Sequence, residues 1–197
     1  MNANVEAFQR VLNPLDSSTG GGTASAVAGA MAGALVAMVA RLSIGKEGME
    51  SASFYNELAT AAGSLSKELF DGGREDSEAF KVVRSAFRLA RQTDKEKASR
   101  REAIQAAWIH AARVPLANAE RCARVLKLAV RLRGRSNPNA ASDLECAGYL
   151  ACAGLLGCVE NVNINVLSIK DQKVAAELAE HARGLRNLAF VHLPTMI

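Results

Sequence analysis

Gly20-Gly21-Gly22-Thr23-Ala24-Ser25-Ala26-Val27-Ala28-Gly29-Ala30-Met31-Ala32-Gly33-Ala34-Leu35-Val36-Ala37-Met38-Val39-Ala40 is built almost wholly from small and apolar side chains, and no charge occurs from Ser17 to Ala40. Its length would suffice to cross a bilayer, but spanning helices are rich in Leu, Ile and Phe, whereas this one is mostly Gly, Ala, Ser and Thr. The better expectation is the central, buried helix of an all-α protein, running from about Thr23 to Ile44. Gly29 and Gly33 stand one turn apart within it. Glycine costs about 1 kcal/mol per helix-interior position relative to alanine, so their presence predicts a second helix crossing with the backbones close together.

Outward from this helix, apolar residues recur at helical spacing and strand patterns are almost absent. A short opening helix is expected over Asn4 to Leu12, ended by Asn13-Pro14. A third helix is expected from Ser51 to Phe70, stopping at Asp71-Gly72-Gly73, and a fourth from about Asp76. Thr93 caps a long helix to Val114. Pro115 should interrupt or kink it, with helix resuming to Arg133 and stopping at Gly134. Two further helices are expected over Ala140 to Asn161 and Lys170 to Phe190, joined by Asn161-Val-Asn163-Ile-Asn165, whose alternation fits either extended or helical backbone. Nothing marks a domain boundary or an internal repeat, so residues 1–197 read as one domain, a bundle of long antiparallel helices.

Composition narrows the function. Hydrophobic residues make up 49% of the chain and aromatics only 5%, so the core rests on Ala, Leu and Val. Each small side chain contributes little apolar area, which favours a large subunit interface. The formal charge of +4 is modest, its acids are interspersed, and stacking aromatics are few, which argues against nucleic acid as partner. An anionic small molecule suits the excess equally well. Cys122, Cys146, Cys152 and Cys158 form no CxxC motif, and no histidine stands at metal-ligand spacing from them. They are expected to be reduced, in a cytoplasmic protein without a metal. A secretory signal is not expected, since Glu6 and Asp16 precede the apolar run and Arg10 is the sole base upstream.

Two polar helix starts stand out. Asn137-Pro-Asn139-Ala-Ala-Ser142-Asp143 packs two amides, a hydroxyl and a carboxylate into a helix opening, where the plain explanation is capping. Gly20-Gly21-Gly22-Thr23 opens the small-residue helix. Without side chains these glycines let backbone amides approach a ligand, and a helix start favours anions. No Gly-Lys-Ser/Thr follows, so this is not a nucleotide-binding P-loop.

Taken in order, Gly20–Ala30, Asp76-Ser-Glu78-Ala-Phe80, Ala103-Ile-Gln-Ala-Ala107, Val114-Pro-Leu116, Asn137–Asp143 and Asn161–Asn165 resemble the cyclodeaminase/cyclohydrolase family of folate enzymes. Thr19 stands where the family usually has proline and Thr23 where it has serine. Extra residues around Gly72-Gly73-Arg74 suggest a shifted loop before Asp76. The resemblance implies an all-helical homodimer with a tetrahydrofolate site near the subunit interface and no added cofactor. The implied activity is methenyltetrahydrofolate cyclohydrolase; formiminotetrahydrofolate cyclodeaminase is the alternative, and a non-catalytic scaffold of the same fold a third reading.

For that chemistry Asp143 and Asp76 are the expected carboxylates, set against a cationic one-carbon centre. Gly20, Gly21, Gly22, Thr23, Asn137, Asn139 and Ser142 are expected to bind the substrate, with Lys46 on its glutamate tail, polyglutamylated or not. Each has an ordinary structural role as well: dipole complement for the acids, turn closure for the asparagines, a helix-end charge for the lysine. Arg131, Arg133 and Arg135 are a weaker attraction for polyglutamate, and Trp108 is expected in the core or a dimer contact. His110, His181 and His192 share no metal spacing. The functional reading requires the two polar helix starts to converge.

Overall fold

A computed structural model describes residues 3–16 and 19–192, all of its regular structure helical. Six α-helices follow one another: α1 (Ala3–Val11), α2 (Gly21–Ser43), α3 (Ala52–Ala86), α4 (Asp94–Leu132), α5 (Ala141–Val166) and α6 (Gln172–His192), with a 3-10 turn at Pro138–Ala140 before α5. Thr93 caps α4 through a reciprocal pair with Glu96. Gly134 follows the end of α4 at φ 69°, the left-handed conformation suited to glycine.

The apolar run forms α2 and packs against α3 and α5. By length and composition α2 could cross a membrane, as could the segment containing α5. In the fold, however, most of α2 is buried against neighbouring helices. Its glycines explain how. A Cβ at Gly29 would meet Cys122 Sγ, and one at Gly33 would lie 3.0 Å from the Ala62 carbonyl oxygen. Gly154 on α5 crosses at the same level, where a Cβ would lie 2.8 Å from the Ser25 carbonyl oxygen and 3.0 Å from the Gly29 amide nitrogen. Contacts along α2 step through Thr23 with Gly73 and Ala30 with Ser66 on α3. Cys122, Cys152 and Cys158 are buried and reduced in this core, and Cys146 is exposed.

Three expected breaks are absent. Helix α3 runs unbroken through Asp71-Gly72-Gly73, so Asp76 sits on a helix and not after a loop. Both glycines are buried; a Cβ at Gly72 would collide with Asn118, whose Nδ2 donates to the Gly72 carbonyl at 3.1 Å. Gly72 is a close-contact site, Gly73 packs at ordinary distance against Thr23, and this packing outweighs their poor helix propensity. Helix α4 also continues through Pro115. Proline supplies no N–H to the carbonyl four residues earlier, that of Ala111, and Asn165 Nδ2 from α5 donates to it instead at 2.7 Å. Asn161–Asn165, expected as a connector, is the last stretch of α5.

Replacing Gly154 by alanine should cost about 1–3 kcal/mol, because its neighbours are backbone atoms that cannot yield. Gly63 lies inside α3 with nothing within 4 Å of an added Cβ, so Gly63→Ala should instead stabilise by roughly 0.5–1 kcal/mol. Thermal unfolding of the two variants against the parent, with shifts of opposite sign, checks the close-crossing geometry.

Candidate functional site

The α2 start, the middle of α3 and the end of α5 meet at one corner of the bundle. Gly20 is the N-cap of α2 in extended conformation and offers no side-chain cap. The first turn of α2 contains no acid, and Asp76 of α3 takes that place. Its carboxylate accepts the Thr23 hydroxyl at 3.3 Å and the Asn161 amide at 3.4 Å. The Thr23 backbone also bonds to it. Thr23 Oγ1 is held by the Gly73 carbonyl at 3.0 Å, so the α3 glycines set the hydroxyl beside the acid.

Gly22 is the hinge of this arrangement. A Cβ there would lie 2.5 Å from both Asp76 carboxylate oxygens and would overlap the Asn161 amide nitrogen. Gly20 and Gly21 have nothing within 4 Å of such a Cβ, because they face open space. That space is a cavity of about 420 Å³ lined by the three glycines, Asp76 and Asn161, with Phe80, Trp108, Ile164 and Leu167 as apolar walls. Asn165 and Ser168 complete its floor. The volume and the mixture of flat apolar walls with a few polar groups suit a small aromatic ligand. Burial pushes the Asp76 carboxyl up to about 6, against the Thr23 hydrogen bonds that favour its ionised form.

Of the residues singled out from sequence, Gly20, Gly21, Gly22, Thr23 and Asp76 come together here. Asp143, Ser142, Asn137, Asn139 and Lys46 do not. Along α5 the rise from Asp143 to Asn161 is about 27 Å, which puts the Asn137–Asp143 start at the opposite end of the same helix. There the Asn137 backbone N–H donates to the Ser43 hydroxyl oxygen at 2.8 Å, and its Nδ2 donates to the Leu42 carbonyl at 3.1 Å. Asn139 N–H closes the turn onto Asn137 Oδ1. Lys46 is exposed just beyond α2, at this same end. A second cavity of about 320 Å³ lies beside it, lined by Met49, Arg133, Ser136, Pro138 and Leu144 among others. Within one chain, then, the expected convergence of the two helix starts does not occur, because a straight helix separates them. Asn161, Asn165, Phe80 and Trp108 line the cavity without having been expected there: the first three lie in stretches that carry the resemblance, and Trp108 was expected in the core or a dimer contact. The four-residue spacing of Asn161 and Asn165, one turn of one helix face, is the signal that would have found two of them. Among the described residues no cluster of His, Cys, Asp and Glu is placed to hold a metal ion.

An all-α bundle with a desolvated acid against a glycine-opened helix start defines a small-molecule site of acid–base type. The profile of the formiminotransferase-cyclodeaminase family matches residues 4–184, and the chain belongs to that family. It is 36% identical over 185 residues to a methenyltetrahydrofolate cyclohydrolase of Methylorubrum extorquens, covering 93% of this chain and 89% of the relative. It is 27% identical to the formimidoyltransferase-cyclodeaminase of Rattus norvegicus, but spans only 32% of that longer protein. Among solved structures it superposes on a formiminotetrahydrofolate cyclodeaminase of Thermotoga maritima with a TM-score of 0.79 at 27% identity, covering 96% of this chain and 92% of that one.

The raised Asp76 carboxyl has a stability consequence. Its folded-state value of about 6 exceeds the ordinary 3.8, so the folded chain holds the proton more tightly and loses stability as pH rises from about 4 to 6. Above that range the penalty is on the order of 2–3 kcal/mol. Asp76→Asn removes the charge but keeps the shape. It should unfold at higher temperature than the parent at pH 8, with the gap closing toward pH 4, as followed by circular dichroism.

Proposed function

We propose that this chain hydrolyses 5,10-methenyltetrahydrofolate to 10-formyltetrahydrofolate, with Asp76 as the acid–base group. One observation carries the reading: a desolvated carboxylate faces an apolar cavity with flat walls, in a chain whose cyclohydrolase relative matches over nearly its whole length. The substrate carbon is an amidinium-like cation. Bound beside Asp76 it offsets the cost of a buried carboxylate and holds that group ionised. Water adds to the carbon, Asp76 takes one of its protons, and a neutral tetrahedral carbon results. Delivery of that proton to nitrogen 5 breaks the carbon–nitrogen 5 bond, leaving the formyl group on nitrogen 10; the hydroxyl proton is released to solvent. Asn161 and Thr23 keep the carboxylate aimed through its hydrogen bonds. The Gly21 and Gly22 amides, in a first helical turn without intrahelical acceptors, are donors for the pterin carbonyl.

The enzyme works as a homodimer of antiparallel bundles in the cytoplasm, with no added cofactor. A second copy covers the face where α2 exposes Met31, Met38 and Leu42 and α5 exposes Tyr149, a stripe of large apolar side chains on two adjacent helices. With the copies reversed, the Asn137–Asp143 end of one lies beside the Gly20–Asp76 end of the other. Asp143, Ser142, Asn139 and Lys46 then join the site from across the interface. The cyclodeaminase alternative is favoured by the Thermotoga maritima relative: the same tetrahedral carbon would form from formiminotetrahydrofolate with loss of ammonia.

Following the methenyl chromophore decides the reaction. Decay faster than the spontaneous rate marks the hydrolase; appearance of the chromophore from formiminotetrahydrofolate, with ammonia, marks the deaminase. Asp76→Asn should lower turnover by roughly 10²–10⁴-fold, and kcat/KM of the parent should fall as pH drops through about 6, where Asp76 takes up its proton. Undiminished turnover in the variant would remove Asp76 from the mechanism. Met38→Glu should yield a monomer in sedimentation velocity.

A further inference from the structure

Pro115 leaves its mark on the floor of the cavity at Asp76. It has no N–H to offer the Ala111 carbonyl four residues earlier, and Asn165 Nδ2 takes that place at 2.7 Å. This bond decides which end of the amide faces which way. A side-chain amide carries donors on its nitrogen and an acceptor on its oxygen. With the nitrogen held on Ala111, the oxygen is the end left to the cavity that Asn165 lines. Among the described residues no protein donor bonds that oxygen.

The second acceptor is close by. Asn165 stands one turn beyond Asn161 on α5, and Asn161 donates to Asp76. The Asn165 oxygen and the Asp76 carboxylate are thus on the order of one helical turn apart, about 5–6 Å. One water molecule spans such a gap, since each of its O–H groups reaches an oxygen about 2.8 Å away. Other polar groups here are already engaged. The Asn161 amide nitrogen lies on Asp76 itself, against Gly22, and the Thr23 hydroxyl is taken by the Gly73 carbonyl and by Asp76.

We propose that Asn165 is a catalytic residue that holds the attacking water together with Asp76, and that Pro115 is a positioning residue that keeps the Asn165 amide nitrogen on the Ala111 carbonyl. The assignment rests on the hydrolase reading above. A water that donates one O–H to each acceptor turns its lone pairs toward the one-carbon centre. A reversed amide would present its NH₂ group and take those lone pairs for itself. As the carbon–oxygen bond forms, Asp76 takes one proton. The other stays on oxygen and donates to Asn165, which accepts a hydrogen bond and no proton. Asp76 then returns its proton to nitrogen 5, the carbon–nitrogen 5 bond breaks, and the hydroxyl proton leaves to solvent as the formyl C=O forms. Ser168, whose N–H bonds the Asn165 carbonyl at 3.1 Å, and Trp108 also line an adjoining cavity of about 400 Å³, which gives water and the released proton a way past a bound ligand. Loss of ammonia from formiminotetrahydrofolate consumes no water, so a water-orienting amide belongs to the hydrolase.

The test separates this role from mere support of the helix. Asn165→Leu removes the acceptor at similar size and should lower kcat for methenyltetrahydrofolate hydrolysis by about 10–100-fold, with KM within about twofold of the parent. It also strips the Ala111 carbonyl of its donor, so the melting temperature should fall. Pro115→Ala restores a backbone N–H for that carbonyl. Added to Asn165→Leu, it should recover melting temperature but not turnover. On its own it frees the amide to turn and should lower kcat by about threefold or more without lowering the melting temperature. Parental kcat in Asn165→Leu, or in the double variant, makes Asn165 a strut for the carbonyl and overturns the proposal. Parental kcat in Pro115→Ala alone overturns the positioning role. The hydrolase reading survives each of these results, whereas a parent chain that hydrolyses nothing overturns both.

Discussion

A carboxylate buried against the start of a helix organises this protein. Asp76 satisfies the first turn of α2 from a neighbouring helix, so the two helices and the end of α5 are tied at one point. The arrangement is tolerable only because Gly22 has no side chain. It is also costly, since the same burial that shields the acid raises its affinity for a proton. A positively charged ligand relieves that cost and an empty cavity does not. The corner is therefore one that a cationic ligand beside Asp76 would stabilise.

The rest of the bundle serves this corner. Small residues at Gly29, Gly33 and Gly154 bring α2 within backbone contact of α3 and α5, and Gly72 makes room on α3 for the Asn118 side chain of α4. Each glycine gives up some helix propensity, and in return the polar groups of Thr23, Asn118 and Asn161 reach partners that bulkier crossings would keep apart. Pro115 contributes in a similar way. By leaving the Ala111 carbonyl without its helical donor, it gives Asn165 an anchor and so fixes the rotation of α5 that presents Asn161 to the acid.

The helical class and the central position of α2 were legible because its composition excludes both a strand and a Leu-rich span. The Gly20–Thr23 turn was singled out by its residue types and Asp76 through the family resemblance, and the fold brings the two together. Local rules failed where tertiary packing overrode them. Gly72-Gly73 read as a stop and Pro115 as an interruption, yet both lie inside continuous helices: Gly72 makes room for Asn118, and Asn165 supplies the donor that the Ala111 carbonyl lacks. Asn161–Asn165 was expected to join the last two helices, its alternation fitting extended or helical backbone, and the placement of Asn161 and Asn165 on one helix face depends on where α5 ends. The Asn137–Asp143 start has all the marks of a ligand loop, but the expected helix length does not say which of its two ends packs against Gly22.

Trp108 is the chain's only indole, and it forms a wall common to both neighbouring cavities. Indole emission from the chain therefore originates from a single spot, beside the candidate site. Occupancy can be watched optically without an attached dye, and with compounds that bind but never react.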